Sequence, residues 1–176
     1  MMESAPSIED SIENMRFWQY SLTVFAFLLV LAGCSSTSES AGAYGKYYKV
    51  AKPIQCVPYA RKVSGIKMRG NAHTWWDQAP KYDYTRGKQP ERGAVLVLRN
   101  TGKLKYGHLA VVNRVVNSRE IDITHSNWGS DKSSRSRIWK SMRVKDVSPK
   151  NDWSLLRFWN GKSFGAPYAA YGFIYK

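Results

Sequence analysis

The sequence has few cysteines, few acidic residues and no long apolar run. Two cysteines stand among 176 residues, and the first, Cys34, closely follows an uncharged apolar stretch at 22–32. At eleven residues, this stretch is too short to span a bilayer as a helix. The chain is 43% hydrophobic and 14% aromatic, which is enough for a single domain with a hydrophobic core.

The N-terminal region is typical of an exported lipoprotein. The short apolar run suits the core of a signal peptide, and Leu31-Ala32-Gly33-Cys34 resembles the bacterial lipobox, in which the cysteine is lipidated and the chain is cut just before it. We expect residues 1–33 to be the signal peptide, with a start at Met15 and lipid on Cys34. Ser35 then favours the periplasmic face of an outer membrane. A short buried helix or a single membrane anchor is the alternative.

Acidic residues are outnumbered two to one. The chain has 27 Lys and Arg against 13 Asp and Glu, and without residues 1–33 the balance is 26 against 9, a net charge of +17. Such a surface attracts polyanions such as nucleic acid, anionic lipid or acidic wall polymer. An exported protein rarely meets nucleic acid, and no RNA motif, zinc spacing or basic helix is present. No nucleic-acid partner is expected, and a merely solvated charged face is the alternative.

The chain after Cys34 divides into a tether and one folded domain. Residues 34–46 are small and polar and predict a flexible lipidated tether, so the domain is expected at 47–176. Helices are predicted at 56–64, ended by Gly65, and at 72–78, between Asn71 and Pro80. Strands are predicted at 94–98, 108–116, 120–124, 137–144, 155–159 and 172–175. The predicted fold class is α+β, with N-terminal helices packed on a mostly antiparallel sheet.

Cys56 has no expected disulfide partner, because Cys34 is assigned to the lipid. The apolar face of the first helix comprises Cys56, Tyr59, Ala60 and Val63, which places the thiol at the helix N-terminus. The helix dipole and the unpaired amides there are expected to shift the thiol toward thiolate. The alternative is a small buried hydrophobic residue, a common fate of free cysteine.

Histidines supply the candidate partners of this thiol. His73 lies beside two tryptophans and is expected to be a packing residue. His108 opens the most hydrophobic strand, at a sheet edge that can meet a cleft. In the following strand, period two places His125 and Asn127 on the inward face with Ile121 and Ile123. A nucleophile, a base and an orienting polar residue can therefore come together.

Five segments together resemble one family. They are QCVPYA at 55–60, ERGAVLV at 91–97, GHLAVV at 107–112, HSNW at 125–128 and GFIY at 172–175. In this order and spacing they are similar to the CHAP domain, a cysteine- and histidine-dependent amidohydrolase and peptidase of bacterial cell walls. The resemblance implies a papain-like α+β fold with Cys56 as nucleophile, His108 as general base and Asn127 as orienting residue. The substrate would be the peptides of peptidoglycan.

One position departs from the family pattern. Many members carry Glu two residues before the orienting Asn, where this chain has His125, so His125 is either an orienter or only a neighbour. The oxyanion is expected to be held by the Cys56 amide and the Gln55 side chain, unless Gln55 merely caps the helix. No metal or cofactor is expected. A catalytically impaired wall-binding lipoprotein and a charge-driven binder of anionic polymers remain the alternatives.

Overall fold

The computed structural model describes residues 40–42 and 44–176, with side chains from Tyr44 onward. The predicted signal peptide, the start at Met15 and the lipidation of Cys34 fall outside the described residues and stay predictions. Within the described ranges, no helix is long and apolar enough to cross a membrane.

The described residues form nine strands and three short α-helices. The helices are α1 (Cys56–Ser64), α2 (Trp75–Gln78) and α3 (Lys132–Arg135), and 3₁₀ turns flank α2 at Ala72–Thr74 and Ala79–Tyr82. The strands are β1 (Ser40–Gly42), β2 (Gly45–Lys49), β3 (Thr85–Gly87), β4 (Val95–Leu98), β5 (His108–Asn117), β6 (Glu120–Ser126), β7 (Arg137–Asp146), β8 (Leu155–Phe158) and β9 (Tyr168–Tyr175).

The sheet closes on itself. Strands β7, β6, β5, β4 and β9 are neighbours in that order, and β8 pairs with both β7 and β9, which closes a six-stranded antiparallel barrel. The predicted papain-like α+β class, with N-terminal helices packed on a mostly antiparallel sheet, is therefore wrong: the described chain is mostly β, and its longest described helix has nine residues. The antiparallel pairing was predicted correctly. Closure of the sheet into a barrel was not predicted, because it depends on the pairing of β8 with β9 as well as with β7.

Apolar residues alternate between two cores. Inside the barrel, Leu96 and Leu98 of β4 meet Ala110 and Val112 of β5, together with buried residues of the other barrel strands. The opposite faces of β4 and β5 pack under α1 and the turns around α2, and this second core includes Ala60, Met68, Trp75, Val95, Val97, Leu109 and Val111. Both faces of β4 and of the first half of β5 are buried, and the sequence is continuously apolar at 95–98 and 109–112.

The first helix begins and ends where the sequence predicts. Gly65 takes the left-handed conformation, with φ of 77°, and its amide donates to the carbonyl of Arg61 at 3.0 Å. The predicted apolar face is correct only in part. Ala60 is fully buried and Tyr59 is half-buried, but Val63 is 43% exposed. The second predicted helix is shorter than expected, since residues 72–74 are a 3₁₀ turn.

Strand β1 and the first two residues of β2 lie in the stretch expected to be a flexible tether. Strand β1 pairs with β2, and β2 pairs with β7 on the outside of the barrel. Tyr47 of β2 packs against Trp139, with ring centroids 4.9 Å apart, and Gly45 leaves room for the same indole. The end of this stretch therefore contains regular structure, and the division into a lipidated tether and a domain stays a prediction.

Candidate active site

The start of α1 supplies the thiol. Cys56 is the first helical residue, and Gln55 is the preceding N-cap residue. The Tyr59 amide donates to the carbonyl of Gln55 at 3.2 Å, which closes the first turn of the helix. Among the described residues Cys56 is a free cysteine, and it is half-buried. The thiol thus packs against the edge of the second core without being fully enclosed by it.

The mouth of the barrel supplies two histidines. His108 and His125 both follow the inward-facing alternation of their strands and are 3% and 0% exposed. Their rings are hydrogen-bonded, with 2.9 Å between His108 Nε2 and His125 Nδ1. His125 Nε2 lies 3.2 Å from Met142 Sδ on β7. The structure therefore places His125, at the position where many family members have Glu, in direct contact with His108.

Gly107 allows β5 to begin where it does. It has φ of 68°, in the left-handed region that favours glycine, and a Cβ atom there would lie 2.7 Å from the carbonyl oxygen of Leu98. The same Cβ would lie 2.8 Å from the backbone nitrogen of His73. A side chain at 107 would thus displace the backbone that positions His108.

Asn127 lies beside the helix start instead of the histidine pair. It follows β6 with φ of 58°, a conformation that asparagine tolerates, and this turn ends the alternation of the strand. Its Nδ2 donates to Gln55 Oε1 at 2.7 Å. Asn127 and His108 line the same cleft, but the hydrogen bond found for the Asn127 amide is to Gln55.

Trp128 covers the histidine pair. Its ring centroid lies 4.7 Å from that of His108 and 5.6 Å from that of His125, and it also contacts Phe158 and Tyr168. Trp128 belongs to the HSNW segment at 125–128, but the sequence analysis predicted no role for it. Its position directly after the polar end of a strand could have indicated that it covers the site.

The electrostatics favour neutral groups. Desolvation raises the pKa of the Cys56 thiol above its ordinary value, although the amides of Leu109, Val57 and Cys56 itself act in the other direction. Burial lowers the pKa of His108 to about 3. Burial, and secondarily the neighbouring His108, lowers the pKa of His125. The expected shift of Cys56 toward thiolate is therefore wrong for this structure, because desolvation outweighs the amides at the helix start.

One cleft of about 930 Å³ joins these groups. Its lining includes Gln55, Cys56, His108, Asn127 and Trp128, and its charged lining residues are Lys103, Lys105 and Arg135. Among the described residues, no carboxylate lines it. The lining therefore favours a negatively charged ligand next to the thiol.

The third histidine, His73, lies outside the cleft. His73 is half-buried outside the lining of the cleft, and its Nδ1 lies 3.2 Å from the carbonyl oxygen of Tyr106. Within the described ranges, no group of three or more His, Cys, Asp or Glu side chains is arranged to hold a metal ion.

Comparison with known proteins supports the family resemblance. Residues 44–127 match the family model described as "CHAP domain". This part of the chain is similar to a CHAP domain. The matched stretch contains the start of α1, the histidine pair and Asn127, so the family resemblance of the sequence is confirmed.

Two further likenesses were found. Staphylococcal secretory antigen SsaA from Staphylococcus epidermidis is 32% identical over 97 residues, which are 53% of this chain and 35% of that protein. The chain thus spans about a third of the length of this curated relative. An N-acetylmuramoyl-L-alanine amidase from Staphylococcus aureus aligns over 49% of this chain and 30% of its own, at 25% identity and a TM-score of 0.36, which is too low to carry an argument.

Proposed function

We propose that this CHAP-like domain is a peptidoglycan hydrolase that cleaves amide bonds of wall peptides with Cys56 as the nucleophile. The observation that carries the proposal is the cleft itself. In it, a half-buried thiol at a helix start and a histidine that is hydrogen-bonded to a second histidine line one cavity. A nucleophile, a base and a group that orients the base are the minimal components of cysteine acyl transfer.

The reaction begins from a neutral thiol and a neutral imidazole. As Cys56 Sγ attacks the amide carbon, His108 takes the thiol proton, and the carbonyl oxygen becomes an oxyanion. The C–N bond then breaks, His108 returns the proton to the leaving amine, and a thioester to Cys56 remains. Water, deprotonated by His108, attacks this thioester, which releases the new carboxylic acid and restores the thiol.

Gln55 and the Cys56 amide are the proposed oxyanion donors. Because Gln55 Oε1 already accepts from Asn127, the Gln55 amino group is left to donate. The Cys56 amide is among those at a helix start that have no partner within the helix. Asn127 thus acts in this proposal by orienting Gln55, while His125 orients His108.

The charge of the cleft favours acidic peptides. Lys103, Lys105 and Arg135 border the cavity, and stem peptides of the wall carry free carboxylates.

We further propose that the protein is exported and held to the periplasmic face of a membrane. The mass of the mature N-terminus tests this proposal. Diacylglyceryl-modified Cys34 supports the anchor, and an unmodified or uncleaved N-terminus contradicts it.

The hydrolase is tested by release of soluble peptides and new amino termini from purified peptidoglycan. Cys56→Ala is expected to lower this release by about a thousandfold or more, because the acyl-enzyme cannot form. His73→Gln, outside the cleft, is the matched control and is expected to keep the wild-type rate. Release that survives in Cys56→Ala contradicts the nucleophile, and binding of wall material without release by the wild type indicates a binding protein.

A further inference from the structure

A buried methionine, Met142, also contacts the histidine pair. His108 Nε2, His125 Nδ1, His125 Nε2 and Met142 Sδ form a continuous series, with contacts of 2.9 Å and 3.2 Å. His125 and Met142 are each 0% exposed. Met142 lies opposite Ile123 in the β6–β7 pairing, which brings its sulfur beneath the next inward-facing residue of β6, His125.

The protons of this series can be placed by counting donors. A thioether sulfur has no hydrogen, so it can only accept, and a contact with it requires a proton on His125 Nε2. A neutral imidazole has one such proton, so His125 Nδ1 must be bare and must accept. The bond between the rings then requires the proton on His108 Nε2, which leaves His108 Nδ1 without one.

The opposite arrangement would block the reaction. With the proton on His125 Nδ1, the His108 Nε2 atom would have to accept it, and neutral His108 would carry its own proton on Nδ1. No hydrogen-bond partner of His108 Nδ1 is found among the described residues, and His108 lines the cleft. A protonated Nδ1 cannot take a proton from a thiol.

We propose that Met142 is a positioning residue that sets the tautomers of both histidines and so leaves His108 Nδ1 free to act as the base. The catalytic consequence rests on the proposed function, but the placement of the protons does not. Met142 acts through His125 and is not among the residues that line the cleft. A neutral histidine, held in one tautomer by a sulfur acceptor, thereby replaces a carboxylate as the group that orients His108.

Nitrogen NMR of the full chain with ¹⁵N-labelled imidazoles tests the proposal. The ¹⁵N shifts and the ring proton couplings distinguish a protonated nitrogen from a bare one. The wild type is expected to show protons on Nε2 of both His108 and His125 and bare Nδ1 atoms. A proton on Nδ1 of either ring at neutral pH would overturn the proposal, and this readout needs no variant to fold.

A pair of variants separates hydrogen bonding from packing. Met142→Leu conserves volume but removes the acceptor, so mixed tautomers and a fall of about tenfold in kcat/KM are expected. Met68→Leu makes the same change at another fully buried methionine, in the core beneath α1, and is expected to keep the wild-type tautomers and rate. Equal spectra and rates for the two variants contradict a role for the sulfur.

The inference and the proposed function can fail separately. Wild-type protein with the expected tautomers but no release of wall peptides would contradict the hydrolase and leave the positioning of the rings intact. Wild-type protein that releases peptides with His125 protonated on Nδ1 would keep the hydrolase and overturn the role of Met142.

Discussion

Strand β6 buries two ionisable side chains, Asp122 and His125, on opposite faces and in opposite electrostatic surroundings. On the outer face, Asp122 is 5% exposed and forms ion pairs at 2.6 Å with both Arg114 and Arg143. On the inner face, His125 is fully buried against His108, Met142 and Trp128, none of which supplies a carboxylate. One face buries a charge with its counter-charges, and the other buries an uncharged pair.

The difference follows from desolvation. An ion that leaves water is tolerated only where opposite charges and hydrogen bonds replace the solvent. The barrel mouth offers aromatic rings and a sulfur to its histidines, so burial lowers both of their pKa values and keeps the rings neutral. The proposed chemistry must therefore generate its charges during the reaction instead of storing them in the resting site.

Removal of Asp122 tests the outer half of the comparison and is expected to have the largest effect. Asp122→Ala leaves two guanidinium groups without their shared carboxylate and is expected to lower the free energy of unfolding by about 3 kcal/mol. Chemical denaturation measures this loss. Asp77→Ala is the control, since the Arg86–Asp77 pair is 3.8 Å long and Asp77 is 82% exposed. A cost for Asp122→Ala as small as that of the control would show that the outer network does not stabilise the fold.

Placing a charge in the barrel mouth tests the inner half of the comparison. His125→Glu puts a carboxylate next to His108, stabilises the imidazolium and is expected to raise the pKa of His108 by about one to three units. The acid limb of the kcat/KM profile should then move to higher pH. His125→Gln, of similar length and without charge, should not move it. Identical acid limbs for the two variants would contradict the electrostatic account.

The pH dependence of stability tests whether the inner face buries neutral histidines. The pKa of His108 is lowered in the folded state from 6.5 to about 3, so the unfolded chain binds more protons between these values. The stabilisation is complete above pH 6.5 and is lost as the pH falls, by about 1.4 kcal/mol per pH unit for each such imidazole. Denaturation midpoints across this range measure the slope. Stability that does not fall toward pH 4 would contradict neutral burial.

The smallest effect is expected for the aromatic cover. Trp128→Phe removes part of the ring that contacts His108, Phe158 and Tyr168 and is expected to cost about 1 to 2 kcal/mol, with a lower rate because the histidine pair gains contact with water. Trp159→Phe removes similar area from a tryptophan that packs against Tyr44 and Phe164 instead. Thermal unfolding and peptide release together distinguish the two, and equal rates would show that the cover is not needed.

Local features of the fold could be predicted from the sequence because each depends on neighbouring residues. Periodicity and a terminal glycine located α1, and alternation located the inward face of β6 up to His125. Closure of the barrel could not be predicted, because β4 and residues 109–112 of β5 would be apolar on both faces in an open sheet under helices as well as in a barrel. Strand β3 was missed because its three residues, ending in glycine, carry no alternation.

The candidate site was predictable in its members but not in its contacts. The motifs brought Cys56, His108, His125 and Asn127 together, and all but the fully buried His125 line the cleft. That Asn127 reaches Gln55 depends on a left-handed turn after the strand, and that Cys56 is desolvated depends on packing around α1. Neither can be inferred from residue spacing.

The neutral resting state of Cys56 is tested most directly by the pH dependence of its alkylation by iodoacetamide. A Cys34→Ala background makes Cys56 the only thiol in the chain. A single inflection above 9.0, the ordinary value for a cysteine thiol, is predicted because burial disfavours the thiolate. A reactive plateau that extends below neutral pH would reveal a stored thiolate–imidazolium pair and contradict the account.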